Sequence, residues 1–145
     1  MKARIKKLDA GVPLPQYHTS ESAAFDLAAN QDAEILPGQT VKVSTGLVIE
    51  APPGHFLMIA ARSSLGLKKG LKLLNGIGVV DRDYAGPNDE IHLLLHNFTG
   101  QPVEIKKGDR IAQAMFVAIS RAVLEEAEML AEESRGGFGS TAGYN

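Results

Sequence analysis

The sequence predicts an all-β fold, a sandwich or a barrel built from many short strands. Short β-type segments run from about Ala23 to Ala118, and Gly and Pro turn signals separate them at roughly even spacing. The 145 residues include 15 Gly and 7 Pro, more than a helical bundle usually carries. A chain of this length fits one domain, with a core large enough to need neither disulfides nor a structural metal.

The candidate strands are separated by turns such as Pro37-Gly38 and Thr99-Gly100, and their spacing suits a meander. The predicted strands are Ala33 to Leu36, Thr40 to Ser44, Leu47 to Ala51, His55 to Ala61, Leu71 to Leu74, Ile77 to Val80, Glu90 to Asn97, Pro102 to Ile105 and Arg110 to Ala118. The segment Val123 to Glu133 has a strongly helix-forming composition, and its conformation is left open. The residues from Ser134 onward are rich in Gly and Ser, which is typical of a flexible tail.

The composition excludes several classes of function. A formal net charge of −2, with both signs interspersed, gives no general electrostatic reason to bind nucleic acid or an anionic membrane surface. The lack of cysteine excludes disulfide frameworks, thiolate nucleophiles and Cys-based zinc sites. The first eleven residues are charged and lack the apolar region of a signal peptide, and no run of about 18 apolar residues could span a bilayer. We therefore expect a soluble, untargeted, cytoplasmic protein.

The segment GVVDRDYAG, Gly78 to Gly86, places two acids and a tyrosine where an apolar strand becomes a loop, and Asp81 is the candidate general base. Taken alone, the segment favours a simpler interpretation, in which Asp81 and Asp83 are turn formers that cap their own backbone. DRDYAG also imitates the start of an EF-hand loop. A calcium site is set aside because His92 stands where the bidentate glutamate of that loop is needed.

Two further segments are candidates for ligand binding. In RSSLG, Arg62 to Gly66, a fixed cation and two hydroxyls lie beside a glycine, a set suited to phosphate oxygens. The simpler alternative is a surface turn with Ser63 as a helix N-cap. Asn75 precedes a glycine, a pair that signals a hairpin turn and by itself requires no other role.

Other polar clusters receive no assignment. His92 and His96 could share one face of a strand, but a third ligand for a catalytic metal is not apparent. The two KKG turns, at Lys68 to Gly70 and Lys106 to Gly108, are interpreted as solvated turns rather than substrate-steering patches.

Five segments, taken in order, resemble the dUTPase family over nearly the whole length of the chain. They are SAAFDLAA (22–29), RSSLG (62–66), GVVDRDYAG (78–86), GDRIAQ (108–113) and GGFGST (136–141). The resemblance implies a jelly-roll-like distorted barrel of the β-clip type, assembled as a homotrimer. It also implies one all-β domain over residues 1–133 and a C-terminal arm, residues 134–145, which crosses to a neighbouring subunit and closes over the active site.

The resemblance further implies hydrolysis of dUTP to dUMP and pyrophosphate, by attack of an Asp81-oriented water on the α-phosphorus. Such an enzyme limits uracil in DNA and supplies dUMP for dTMP synthesis. In the family, a hairpin at Asn75 reads uracil and excludes the thymine methyl by close packing, worth roughly 10- to 100-fold in discrimination. Tyr84 matches a tyrosine that packs on the deoxyribose, and Gln113 a glutamine that donates to the α-phosphate. The substrate-binding residues so implied are Arg62, Ser63, Ser64, Asn75, Gly78, Tyr84, Gln113, Arg135, Phe138, Gly139 and Ser140.

Magnesium is implied by the substrate, because three phosphates need a hard cation and Mg²⁺ binds mainly through phosphate oxygens and water. We therefore expect no direct protein ligand for the metal. The resemblance implies that Asp26 supports the phosphate site, through the metal's water shell or through an arginine. Its place between Phe25 and Leu27 also suits a plain strand residue.

The tail departs from the family pattern. Family members commonly carry Arg-Gly-x-Gly-Gly-Phe-Gly, whereas this chain has two fewer residues between Arg135 and Phe138, and Ala142 replaces a usual glycine. Either Phe138 stacks on the base while Arg135 meets the γ-phosphate along a changed backbone path, or only one of the two is placed as in the family. Ordering a dozen tail residues costs on the order of 10 kcal/mol, so we expect closure only with nucleotide bound.

Two alternatives belong to other functional classes. A dCTP deaminase shares the fold and a similar arginine-serine segment, but Leu94 stands where its catalytic glutamate would fall, three residues before Asn97. A non-catalytic nucleotide-binding trimer would keep the fold without turnover. Asp81 and Tyr84 argue against that second alternative, and the shortened tail argues for it.

Overall fold

The computed structural model describes residues 1–134 and residue 136, and there the chain forms short strands and one helical turn. The strands are β1 (Arg4–Lys7), β2 (Phe25–Ala28), β3 (Ala33–Ile35), β4 (Thr40–Ser44), β5 (Leu47–Glu50), β6 (His55–Ala61), β7 (Leu71–Leu73), β8 (Ile77–Val80), β9 (His92–Asn97), β10 (Val103–Ile105) and β11 (Arg110–Ala118). A π-helical turn, Leu65–Lys69, follows β6. None of the helical residues in the described ranges could form a membrane span.

The strands pair antiparallel into four sheets, and the pairing order gives the fold its character. Two sheets are the pairs β1-β5 and β3-β10, a third has the order β4-β9-β7, and the largest has the order β2-β11-β6-β8. Over residues 1–134 no ladder joins consecutive strands, so the expected meander is wrong. The turns instead carry the chain from one sheet to the next, and β2, β3 and β4 pair with β11, β10 and β9. This folded-back order is that of a jelly roll, and the all-β, jelly-roll-like prediction is confirmed, although the ladders do not close into one barrel.

Most strands lie within two residues of their predicted bounds, but β1 was missed. Its residues, Arg4–Lys7, are mostly charged and exposed, so the sequence lacks the alternation that marks a half-buried strand. Pairing with β5 decides its conformation, and the Arg4 side chain forms an ion pair with Glu50.

The segment of helix-forming composition, Val123 to Glu133, is irregular rather than helical. Its apolar side chains are exposed, with Leu124 at 92% and Leu130 at 94%. A helix of this length is marginal in water unless its apolar face is buried against another surface, and this chain offers none here. Composition alone was therefore an insufficient guide to this element.

Residues from all four sheets share one apolar core. Leu27, Ile35, Ile49, Leu57 and Leu95 are each fully buried within it. The strands alternate as predicted: in β9, Leu93, Leu95 and Asn97 point inward between more exposed neighbours.

Asn97 is a polar residue at full burial, and it joins β3 to the loop at Thr99. Its Nδ2 donates to the carbonyls of Ile35 at 2.8 Å and Gln101 at 2.7 Å, and its Oδ1 accepts from the Thr99 backbone N–H and hydroxyl, each at 2.8 Å. The side chain is thus satisfied, as burial requires. Thr99 in turn packs against Gly70, where the π-helical turn ends.

Replacing Gly70 with alanine should destabilise the fold. Gly70 has φ +63°, and a Cβ there would lie 2.0 Å from Thr99 Cγ2. Left-handed strain and overpacking together predict a loss of about 2 to 4 kcal/mol in the free energy of unfolding, measured by urea titration. Gly100→Ala is the matched control, because nothing lies within 4 Å of its added Cβ. Equal stability of the two variants would contradict this packing.

The π-helical turn also forms an ion pair with the turn before β11. Lys69 Nζ lies 2.8 Å from Asp109 Oδ2, and the same oxygen accepts from the Lys106 backbone N–H at 3.1 Å. The hydrogen bond from Lys69 is the main reason that the pKa of Asp109 lies below its usual range, with partial burial opposing it. From sequence, Lys69 is interpreted as part of a solvated turn. In the structure its ion pair connects the π-helical turn to the turn before β11.

Asp109→Asn should reduce stability in a pH-dependent way. Because the folded pKa lies below the unfolded value of about 3.9, the stabilisation is present above that value and is lost as pH falls through the folded pKa. Both side chains are partly exposed, so we expect a difference of about 0.5 to 1 kcal/mol at neutral pH that shrinks below about pH 4. Urea unfolding from pH 3 to 7 measures it, with the exposed change Asp83→Asn as control. A difference that grew toward acid pH would contradict the assignment.

Candidate functional site

The largest sheet brings three of the predicted site residues to one face. Gln113 in β11 lies directly opposite Asp26 in β2 and Ala60 in β6, and Arg62 follows two residues after Ala60. A bulge in β11 shifts the register, so Arg110 lies opposite Ala28 although it is three residues from Gln113. Because directly opposite residues share a face, the bulge places Arg110 and Gln113 on the same side as Asp26.

The carboxylate of Asp26 lies between two guanidinium groups. Arg62 Nε is 3.0 Å from Oδ1, and Arg110 Nη1 is 3.3 Å from Oδ2. The side chain of Asp26 is only 13% exposed, so its charge needs these partners. Asp26 thus contacts Arg62 directly, rather than standing as a plain strand residue.

Arg62 is held at two points and keeps donors to spare. Besides its contact with Asp26, its Nη1 donates to the Arg110 carbonyl at 3.0 Å. A guanidinium has five N–H donors, and the remaining ones have no partner in the described part of the chain. Gln113 Nε2 donates to the Ala61 carbonyl at 3.0 Å, which leaves its second N–H available.

Ser63 and Ser64 lead into the π-helical turn, an uncommon element that recurs at functional sites. Ser64 occupies the N-cap position, but its side chain makes no capping hydrogen bond. Ser63 is exposed. Neither hydroxyl is therefore committed to the cap that the simple interpretation assigned to this segment.

Sequence reasoning missed two members of this cluster. Arg110 lies in the GDRIAQ segment but received no role, and His18 carried no signal at all. His18 Nε2 is 2.6 Å from Arg110 Nη1 and 3.0 Å from Asp26 Oδ2. A cavity of about 400 Å³ opens beside them, and Lys107 also lines it.

A second group of predicted residues surrounds β8. Asn75 stands in a tight turn in which the Gly76 N–H donates to the Leu73 carbonyl at 3.1 Å. The turn signal is confirmed, but the expected hairpin is not: β7 pairs with β9, and β8 pairs with β6. Gly78 lies opposite Ile59, and a Cβ there would be 3.1 Å from Ile59 Cβ, so the close strand contact favours glycine.

Asp81 and Tyr84 follow β8 in an exposed turn. The Tyr84 N–H donates to the Asp81 carbonyl at 3.2 Å, and the tyrosine is 43% exposed. The Tyr84 hydroxyl donates to the Glu90 carbonyl at 3.4 Å. The Glu90 carboxylate in turn accepts from the Ser44 hydroxyl and, at 2.7 Å, from the Gly46 N–H. Asp81 is exposed in this turn.

Within one chain, the two groups lie at opposite ends of β6. Val80, next to Asp81, is opposite Leu57, whereas Arg62 follows the far end of the strand. Leu57 and Arg62 are five positions apart in the chain, which corresponds to roughly 17 Å at the rise of a β-strand. Asp81 and Arg62 of the same chain therefore do not face one phosphate group.

The arm residues Arg135, Phe138, Gly139 and Ser140 lie outside the described residues. In residues 1–134 no three His, Asp or Glu side chains cluster as metal ligands. His92 and His96 do share a strand face, but four residues separate them, about 13 Å. His92 contacts Glu90 and His96 contacts Thr40, so the pair does not form a metal site.

Comparisons with known proteins identify the family of this chain. A sequence model of the dUTPase family matches residues 10–142. The deoxyuridine 5'-triphosphate nucleotidohydrolase of Nautilia profundicola is 43% identical over 143 residues, which cover 97% of this chain and 99% of that protein.

Solved structures lead to the same family. The dUTPase of Streptococcus mutans is 32% identical, with a TM-score of 0.74, and the alignment covers 88% of this chain and all of that one. A mutant dUTPase from phage phi11 of S. aureus, described with a structural Mg(II) ion, shares the fold with a TM-score of 0.81 at 17% identity over 90% of this chain and 99% of that one. The chain belongs to the dUTPase family, and it is a hydrolase that converts dUTP to dUMP and pyrophosphate.

Proposed function

We propose that each active site lies between subunits of a homotrimer. Asp81 of one subunit orients the attacking water, and Arg62 and Gln113 of a neighbour hold the phosphates of dUTP. The separation of roughly 17 Å along β6 supports this arrangement, because a general base must lie within hydrogen-bond reach of the water it activates. Chain association would bring the two halves together.

Exposed apolar surface also supports association. On β8, Ile77 is 51% and Val79 is 62% exposed, directly beside Asp81. Farther along, Val123 and Met129 are 85% and 70% exposed in the irregular segment before the arm. Contiguous exposed apolar side chains mark interaction surfaces. We propose that this segment carries the arm, residues 134–145, from the domain of residues 1–133 to a neighbouring subunit.

The phosphate half of the site is an arginine with its hydroxyl neighbours. The N–H groups of Arg62 that Asp26 and Arg110 do not use, together with the Ser63 and Ser64 hydroxyls, form charge-assisted and neutral hydrogen bonds with phosphate oxygens. The second Nε2–H of Gln113 donates to the α-phosphate. These donors stabilise the charge that develops during transfer, and they need little reorganisation because they are already fixed.

The nucleoside half of the site consists of the two turns that precede and follow β8. Asn75 and the backbone near Gly78 read the uracil edge, and Tyr84 packs on the deoxyribose, where it leaves no room for a 2′-hydroxyl. The hydrogen bonds of Glu90 support the role of Tyr84, because a side chain that packs on the sugar must keep a constant position. Phe138, Gly139, Ser140 and Arg135 close over the bound nucleotide from the arm.

Catalysis is in-line attack of water on the α-phosphorus. The Asp81 carboxylate accepts a proton from the water as the water oxygen bonds to the α-phosphorus, and pyrophosphate leaves on the opposite side. Positioned general-base catalysis is worth roughly 10² to 10⁴ in rate. The remainder comes from the phosphate donors and the closed arm.

The residues present fit magnesium that is carried by the substrate. Both oxygens of Asp26 already contact guanidinium groups, so this carboxylate would contact the ion through water rather than as a direct ligand. Mg²⁺ that keeps its waters and binds phosphate oxygens needs no more than this. When bound, the ion supplies charge neutralisation at the triphosphate.

Asp81→Asn should retain substrate binding and lose turnover. The amide keeps the size of the side chain but does not accept the proton, so kcat should fall about 10²- to 10⁴-fold with little change in the Kd for dUTP. Pyrophosphate release measures the first, and calorimetric titration of the variant measures the second. Asp83→Asn is the matched control, because it removes a neighbouring exposed carboxylate with no assigned role.

The same assay, run with dUTP, dCTP, dTTP and UTP, tests specificity. Pyrophosphate from dUTP alone, without ammonia from dCTP, is expected, since Leu94 offers hydrocarbon where a deaminase needs its glutamate. Unchanged turnover by Asp81→Asn would remove Asp81 from the mechanism and leave the family assignment intact.

Two inactive variants should restore activity when they share a trimer. If Asp81 and Arg62 act from different subunits, random co-assembly of Asp81→Asn with Arg62→Ala chains leaves about one site in four with both residues intact. Purification on two affinity tags keeps only mixed trimers, in which about one site in three is intact, so the dUTP assay should recover up to about a third of wild-type activity. No recovery in verified mixed oligomers, or a monomeric mass for the active wild type, would exclude the shared site.

A further inference from the structure

We propose that His18 is a positioning residue for phosphate binding: it holds Arg110 and thereby leaves one oxygen of the Asp26 carboxylate, Oδ1, to Arg62. The inference rests on the proposed role of Arg62 as the phosphate contact. It adds a residue that lies outside the five segments shared with the dUTPase family, in the loop before β2.

The contacts of one nitrogen carry the inference. His18 Nε2 is 2.6 Å from Arg110 Nη1 and 3.0 Å from Asp26 Oδ2. A single ring nitrogen either donates its N–H or accepts with its lone pair, so the two contacts are not hydrogen bonds at the same time. Arginine is always a donor, and the contact with Arg110 is the shorter. We therefore assign Nε2 as the acceptor from Arg110.

The Arg110 guanidinium then contacts two groups. Its Nη1 donates to His18 Nε2, and it forms an ion pair with Asp26 Oδ2 at the longer distance of 3.3 Å. Arg62 meets the other carboxylate oxygen at 3.0 Å. The carboxylate is thus divided, with one oxygen for each arginine.

Without His18, this division would not hold. Guanidinium groups prefer to bind a carboxylate through two parallel N–H bonds. Arg110 is 49% exposed and borders the 400 Å³ cavity, so it has room to turn onto both oxygens of Asp26. Arg62 would then lose its contact with Oδ1 of Asp26. The N–H groups that Arg62 presents to phosphate would no longer be aligned.

The loop before β2 fixes the histidine. The Thr19 N–H donates to the Ser22 hydroxyl at 3.1 Å, and the two hydroxyls lie 2.9 Å apart. This turn sets the backbone directly after His18. The side chain is 54% exposed, so its replacement should leave the core unchanged.

Steady-state kinetics with dUTP on the full-length assembled enzyme tests the proposal. His18→Ala should raise KM about 3- to 10-fold while kcat stays within about two-fold, the pattern of lost ground-state binding. His18→Gln should restore most of the affinity, because the amide oxygen accepts from Arg110. His96→Ala, in a different sheet, is the matched histidine control and should leave KM unchanged.

A double-mutant cycle separates this role from a structural one. In an Arg62→Ala background, His18→Ala should raise KM no further, because the aligned group is already gone. Thermal unfolding of each variant checks that the fold is kept. An unchanged KM for His18→Ala, or equal losses in the alanine and glutamine variants, would overturn the positioning role. If Arg62→Ala itself leaves KM unchanged, the phosphate role proposed for Arg62 fails first, and the inference fails with it.

Discussion

The ion pairing of Asp26 is the interaction on which the proposed phosphate side of the site depends. This carboxylate is only 13% exposed, so its charge needs cationic partners. The two arginines are therefore held where the carboxylate holds them. Three strands meet at this point, because Asp26 comes from β2, Arg62 follows β6 and Arg110 begins β11. A single charge thus connects the sheet to the groups that we propose contact the substrate.

Strand order imposes the second constraint. Since β8 runs antiparallel to β6, the residue after β8 and the residue after β6 lie at opposite ends of the same ladder. The chemistry of dUTP hydrolysis needs a base and phosphate donors around one phosphorus atom. In the proposed arrangement, the base and the phosphate donors of one chain lie far apart, and trimer assembly brings the base of one chain close to the phosphate donors of another. Activity then depends on protomer concentration, as binding linkage requires.

Both halves of the site are held by polar groups that sequence patterns did not mark. The amide of Asn97 ties the loop at Thr99 to β3, and Gly70 packs on that loop where the π-helical turn ends. Glu90 connects the Tyr84 hydroxyl to Ser44 and to the loop after β4. Satisfied partly buried polar groups of this kind stabilise loops that few apolar contacts hold.

The sequence by itself determined the strands with local signals and the family to which the chain belongs. The strands β4, β6, β8 and β11 have their predicted bounds, because alternation and Gly/Pro turns act over a few residues. Tertiary structure decided what depends on distant partners. It made a strand of charged β1, left the helix-forming segment irregular, and replaced a meander with jelly-roll pairing. A bulge put Arg110 beside Gln113, and a ladder kept Asp81 from Arg62. Register and burial are set by contacts between residues far apart in the chain, and local sequence does not encode them.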